Sequence, residues 1–278
     1  MTMDTLVSTD WLAGELGAGD LAVVDASYHL PDAKRDASAD HAAGHIPGAV
    51  FLDLATLVDP ASPVDNTMPG AEAFAERMRA LGIGDATRIV VYDDSAIKSA
   101  TRAWFMLRTF GAERVAVLDG GLRKWKAEGR PLDPGLAQPN RADFTARADA
   151  AKLRSKADVL AAREQVVDAR SASRYSGAEK ETRPGLASGH IPGSRNVHYA
   201  KLYEPDGTLK DADALTAAFA AAGVDLAKPV VTSCGSGMTA CALAFALHRI
   251  GKDDVALYDG SWSEWGADPA TPKATGAD

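Results

Sequence analysis

A shift of 140 positions lays one half of this sequence on the other. It carries Val90-Val91 onto Val230-Val231, Phe110-Gly111 onto Ile250-Gly251, Asp119-Gly120 onto Asp259-Gly260, and Trp125 onto Trp265, with no gap. Upstream, Val23-Val24-Asp25-Ala26 returns as Val166-Val167-Asp168-Ala169, and Gly44-His45-Ile46-Pro47-Gly48 as Gly189-His190-Ile191-Pro192-Gly193. Strand, helix and turn signals keep one register, which makes coincidence a poor explanation. The chain must fold as two copies of one unit, and 278 residues are enough for two domains of common size.

Each copy alternates strands with helices. Leu21 to Ala26 reads as a buried strand ending in an acid, and Arg88–Tyr92 and Val115–Leu118 as further strands. Ala71 to Leu81 has helical spacing, with Phe74, Met78 and Leu81 on one face; Ala100 to Phe110 forms a second helix, and Trp125 lies in a short third one. This alternation predicts an α/β fold with a parallel sheet covered by helices on both faces. The expected domains are residues 1–130 and 152–278. Residues 131–151 read as a linker, because the stretch from Arg130 to Arg154 has three prolines in its first half and little apolar periodicity.

The chemistry concentrates in one loop. Pro229-Val230-Val231-Thr232-Ser233 leads into Cys234-Gly235-Ser236-Gly237-Met238-Thr239-Ala240, and a helix-forming run follows to Ile250. A strand–loop–helix of this kind aims backbone N–H groups at one point, with the positive end of the helix dipole behind them. A cysteine at its start is expected to favour the thiolate, the reactive form. Gly235 and Gly237 keep side chains out of the way and allow backbone angles other residues avoid. The shift of 140 pairs Cys234 with Asp94, whose segment lacks both the thiol and the glycines. Only the second copy is equipped to react.

Composition narrows the rest. A net charge of −8 with no basic run argues against a nucleic-acid binder. Two cysteines, seven residues apart, exclude a disulfide scaffold and fit a reducing compartment. Met1 to Asp10 does not read as a secretory signal, and the apolar run Ala240 to Leu247 is too short to span a bilayer. A cytoplasmic location away from the membrane is expected. No metal-ligand cluster, dinucleotide-binding glycine pattern or phosphate loop occurs in the sequence, so no cofactor is expected.

Cys-Gly-Ser-Gly-Met-Thr-Ala resembles the active-site loop of the rhodanese family, specifically its 3-mercaptopyruvate sulfurtransferase branch, in which valine is usual where Met238 stands. The resemblance extends over nearly the whole chain. It implies two tandem rhodanese-like domains with the catalytic cysteine in the second. It also implies transfer of sulfur from 3-mercaptopyruvate through a Cys234 persulfide to a thiol acceptor, such as thioredoxin, or to cyanide, with release of pyruvate. The N–H groups of Gly235, Ser236, Gly237, Met238 and Thr239 would hold the anionic sulfur. Arg174, in Ser173-Arg174-Tyr175-Ser176-Gly177, matches the family's substrate arginine, with Ser173 where glycine is usual. Arg183, seven residues before His190, matches a second one. Two arginines suit a carboxylate, which each can grip with parallel hydrogen bonds.

A Ser–His–Asp relay has been proposed in this family; its members here would be Ser236, His45 and Asp36. The duplication offers a second reading, because His190 stands in the same motif as His45. One histidine per copy suggests a structural task, such as bonding the strand-end carboxylates Asp25 and Asp168. Cys241 reads as a packed small residue, and Trp262 and Trp265 as residues bordering the pocket, with core packing favoured for Trp265.

Two other activities compete. Thiosulfate sulfurtransferases carry Arg and Lys directly after the cysteine, where this chain has the neutral Gly235 and Ser236. Cysteine phosphatases need a loop-closing arginine, where this chain has Ala240 and Cys241. A non-catalytic binding module suits only the first copy.

Overall fold

The computed structural model describes residues 3–161 and 163–276, so the first two and last two residues of the expected domains lie outside the description. Two compact units are present. One comprises Met1–Val58, Met68–Asp149 and Glu204–Leu209, and the other Asp59–Thr67, Ala150–Tyr203 and Lys210–Asp278.

The first unit runs β1 (Leu6–Val7), α1 (Thr9–Glu15), β2 (Leu21–Asp25), α2 (Ala37–Ala43), β3 (Val50–Phe51), α3 (Ala71–Ala80), β4 (Arg88–Tyr92), α4 (Ala100–Thr109), β5 (Val115–Leu118) and α5 (Gly121–Ala127). The second repeats the order with β6 (Leu153–Arg154), α6 (Lys156–Leu160), β7 (Gln165–Asp168), α7 (Ala172–Ser176), β8 (Arg195–Asn196), α8 (Ala212–Ala221), β9 (Val230–Ser233), α9 (Ala240–Arg249), β10 (Val255–Tyr258) and α10 (Ser261–Trp265). Both sheets are parallel throughout, ordered β1-β5-β4-β2-β3 and β6-β10-β9-β7-β8. Every residue of β5, β9 and β10 is buried, which requires cover on both faces. Phe74 and Met78, one turn apart on α3, are fully buried as their spacing predicts.

The duplication reaches further than the sequence register. After α5 the chain turns back and pairs with the first Gly-His-Ile-Pro-Gly motif: His45 and Asp133 exchange backbone hydrogen bonds of 3.0 and 2.9 Å. After α10, Ala274 makes the same exchange with His190, at 2.9 and 3.0 Å. Trp125 donates its indole N–H to the Pro131 carbonyl and Trp265 to the Pro272 carbonyl, each at 2.8 Å. Gly189, at φ +116°, has to be glycine, because a Cβ there would lie 2.2 Å from the Ala274 carbonyl.

The stretch expected as a linker packs with the first unit. Residues 131–149 are built into the first unit. The Ala142 amide donates to the Arg79 carbonyl, the Arg147 and Asp149 amides donate to the carbonyls of Phe110 and Thr109, and Phe144 is buried against Phe74. Their attachment is mainly through backbone groups, which leave no apolar period in the sequence. Two short segments, Asp59–Thr67 and Glu204–Leu209, also pack with the unit encoded by the other half of the chain. Among the described residues no helix is long and apolar enough to cross a membrane.

If 131–149 is part of the first unit, Phe144→Ala should destabilise it by about 3–5 kcal/mol, as for other buried aromatics. Urea unfolding monitored in the first unit measures this. A loss under about 0.5 kcal/mol, usual for an exposed tether, would restore the linker reading.

Candidate active site

β9 ends at Ser233, and Cys234 follows with 1% of its surface exposed. Its amide donates to Ser261 Oγ at 3.1 Å, and its carbonyl accepts from the Trp262 amide at 3.0 Å. The next carbonyl, Gly235, accepts from both the amide and the hydroxyl of Ser263, at 2.8 and 2.7 Å. In a trans peptide the C=O and N–H point in opposite directions. Anchoring the carbonyls of Cys234 and Gly235 to α10 therefore turns the amides of Gly235 and Ser236 the other way. The amides of Gly235, Ser236, Met238 and Thr239 donate to no other described group. Thr239 gives α9 no side-chain cap, so the helix N-terminus adds its positive end to the same place. The result is a set of N–H groups suited to an anion.

The two glycines do different work. Gly237 is left-handed at φ +76° and meets the backbone demand. Gly235 lies against the two arginines instead: a Cβ on it would be 3.8 Å from Arg174 and 3.9 Å from Arg183, ordinary contact distances.

Both arginines thus reach the loop from quite separate places. Arg174 comes from α7, whose N-cap Ser171 accepts its amide, and Arg183 from the loop beyond. Glu181 holds them together. It accepts from Arg174 Nη2 at 3.0 Å and from Arg183 Nε and Nη2 at 3.1 and 3.2 Å. Its side chain is only 6% exposed, against 34% and 37% for the arginines. Burial opposes ionisation of Glu181, but the hydrogen bonds from Arg183 and Arg174 outweigh it and hold the carboxyl down at about 2. One carboxylate for two guanidinium groups leaves a local excess of positive charge.

Ser236 Oγ accepts from Asn66 Nδ2 at 3.1 Å, an interaction supplied by the segment Asp59–Thr67 of the same unit. The serine hydrogen stays available for donation. Burial, with the charge of Cys234 added, pushes the Tyr199 phenol above its usual range. Cys241 is fully buried and donates to the Gly237 carbonyl, as a packed residue should. Trp262 is buried under the Arg170 guanidinium, with its indole N–H on the Ala187 carbonyl, and Trp265 is equally buried.

His45 and Asp36 belong to the first unit. The His45 ring is buried and stacked on His41, with Nδ1 donating to the His41 carbonyl at 2.9 Å. His190 repeats the arrangement, stacked on Tyr175 with Nδ1 on the Tyr175 carbonyl. Neither histidine bonds a strand-end carboxylate, contrary to expectation. Asp25 pairs with His41 and Asp168 with Arg170, because those partners lie closer to the strand ends. Asp36 caps α2 through the amides of Ser38 and Ala39 and makes no hydrogen bond to His45.

Sequence reasoning missed Glu181, Asn66, Tyr199, Ser261 and Ser263. One signal was available for Ser261. It is left-handed at φ +48°, as is its counterpart Gly121 at +57°, so a serine stands where the first copy needs a glycine. Such strain at a non-glycine residue costs on the order of 1–3 kcal/mol and gathers at functional sites. In the first unit the Leu122 amide bonds the Asp93 carbonyl, whereas in the second the Trp262 amide bonds that of Cys234, one residue later by the duplication. That slip makes room for the Ser261 side chain. The first unit's loop instead carries its own anions: Asp93 accepts the amides of Ser95 and Ala100, and Arg35 and Lys126 reach Asp94.

The family description Rhodanese-like domain matches residues 8–128 and again 147–268. Human 3-mercaptopyruvate sulfurtransferase is 43% identical over 94% of this chain and 91% of its own length. Bovine thiosulfate sulfurtransferase is 42% identical, with the same two shares covered. The crystal structure of SseA from Escherichia coli, described with the 3-mercaptopyruvate sulfotransferases, superposes with a TM-score of 0.86. It is 38% identical, over 94% of this chain and all of that one.

A carboxyl held below its free value of 4.5 stabilises the fold fully above pH 4.5, and the contribution is lost as pH falls towards 2. Glu181→Gln keeps the shape and removes the charge. Its stability deficit against the native chain should be constant above about pH 5 and narrow steadily below that in urea titrations. A deficit independent of pH would mean that the arginines do not depend on the Glu181 charge.

Proposed function

Because the chain belongs to the rhodanese family, we propose that it acts as a 3-mercaptopyruvate sulfurtransferase with Cys234 as nucleophile. The Cys234 thiolate attacks the sulfur of 3-mercaptopyruvate, a new S–S bond forms, and the C–S bond breaks. The electron pair of the broken bond leaves on the pyruvate enolate, which takes up a proton to give pyruvate. The thiolate of an acceptor then attacks the outer sulfur of the Cys234 persulfide and regenerates Cys234. Thioredoxin is our candidate acceptor, as a protein with a reactive thiolate, and cyanide would serve in its place.

The observation that carries this reading is the convergence of Arg174 and Arg183 on Gly235, directly after the buried cysteine. Two guanidinium groups sharing one carboxylate suit a donor with a carboxylate of its own, placed within reach of the thiol. The amides from Gly235 to Thr239 are assigned to the persulfide, with Gly237 and Met238 shaping the loop. Ser236 is assigned to the proton demand of the enolate, supported by the Asn66 contact that leaves its hydrogen for donation.

For His45 and Asp36 we favour structural parts in the first unit. The matching bonds of His190 support the first, and the cap on α2 the second. A cytoplasmic location is supported by two cysteines that form no disulfide with each other. The thiosulfate reading keeps a claim because a thiosulfate sulfurtransferase is as similar to this chain as the mercaptopyruvate enzymes are.

Incubation with 3-mercaptopyruvate alone should add one sulfur atom to Cys234 and release one equivalent of pyruvate, read by intact mass and peptide mapping. No added sulfur, or sulfur on Cys241 instead, would remove Cys234 from the role.

A further inference from the structure

Ser263 touches both halves of the site. Its hydroxyl accepts from Arg183 Nη1 at 2.7 Å and donates to the Gly235 carbonyl at 2.7 Å. A hydroxyl has a single hydrogen, so these two bonds fix its direction: the arginine donates to serine, and the serine to the loop. The peptide group that holds the Gly235 carbonyl also holds the Ser236 amide, and the two move as one plane. Of the five N–H bonds of Arg183, Glu181 takes two and Ser263 a third, which leaves one on each terminal nitrogen. The counterpart of Ser263 in the first unit is the exposed Arg123, beside a loop that has no thiol.

We infer that Ser263 is a positioning residue that ties the donor-binding Arg183 to the Gly235–Ser236 peptide. The grip on the donor carboxylate and the aim of the Ser236 amide are thereby set together. The inference rests on the sulfurtransferase reading given above. Glu181 alone cannot perform this task, because it restrains the arginines only relative to each other and contacts no group of the Cys234 loop. The Ser263 amide would still hold the Gly235 carbonyl after loss of the hydroxyl. Removing the hydroxyl should therefore leave the fold and loosen the coupling.

The test is a double-mutant cycle on kcat/KM for 3-mercaptopyruvate, using Ser263→Ala, Arg183→Ala and the pair. Alanine is a good helix residue, so Ser263→Ala on α10 should fold with a native melting temperature. It should lower kcat/KM by about tenfold, the scale of a charge-assisted hydrogen bond, and Ser263→Thr should recover most of the loss. In the Arg183→Ala background the same change should cost less than about twofold, because the link is already cut. Native activity in Ser263→Ala, or an undiminished loss in the double variant, overturns the inference. If Arg183→Ala itself keeps native activity, the donor-binding reading of Arg183 fails instead, and the two failures are told apart.

Discussion

The chemistry of this chain depends on which way two peptide planes face. The carbonyls of Cys234 and Gly235 are held by the first turn of α10, through the Trp262 amide and both donors of Ser263. The amides on the far side of those planes are left to converge. An anion cradle built from backbone dipoles is rigid, uncharged and desolvated beforehand, so it stabilises developing negative charge without reorganising.

The duplication shows how small the difference is between scaffold and site. Both units have the same strand order, the same returning segment on the Gly-His-Ile-Pro-Gly motif and the same tryptophan anchored to a proline carbonyl. They part at the turn that opens α5 and α10. Gly121 presses so closely on the Asp93 carbonyl that a Cβ would lie 2.4 Å away, and the loop there is filled by carboxylates of its own. A one-residue slip in the second unit admits Ser261 and offers the loop to a ligand. Fold and chemistry are separable here, the first being common to both units and the second confined to one.

Much of this could be read from the sequence. The repeat gave two domains, and alternating strands and helices gave a parallel sheet, because burial on two faces leaves continuous apolar runs such as Val230-Val231. The Cys234 loop was visible through its glycines, and Arg174 and Arg183 through their place in a resembling motif. The rest was hidden for identifiable reasons. Residues 131–149 pair through their backbone, which writes nothing into side-chain order. Glu181 is an acid in a loop until the fold brings two arginines around it. Asn66 reaches Ser236 from 170 residues away, by way of a segment that packs with the other half of the chain.

Sequence identity does not decide the donor, since mercaptopyruvate and thiosulfate enzymes resemble this chain equally. Our proposal of mercaptopyruvate rests on the charge pattern. Thiosulfate departs as sulfite, carrying two negative charges away from the loop, and would gain from fixed cations next to the thiol. Gly235 and Ser236 supply none, whereas Arg174 and Arg183 offer a grip for a carboxylate beside it. The most direct measurement is the ratio of kcat/KM for 3-mercaptopyruvate to that for thiosulfate, with one acceptor and one buffer. The account predicts a ratio above one by at least about tenfold, equivalent to 1.4 kcal/mol of differential transition-state stabilisation. A ratio below one would mean that neither the neutral loop nor the paired arginines set the donor, and would contradict the assignment.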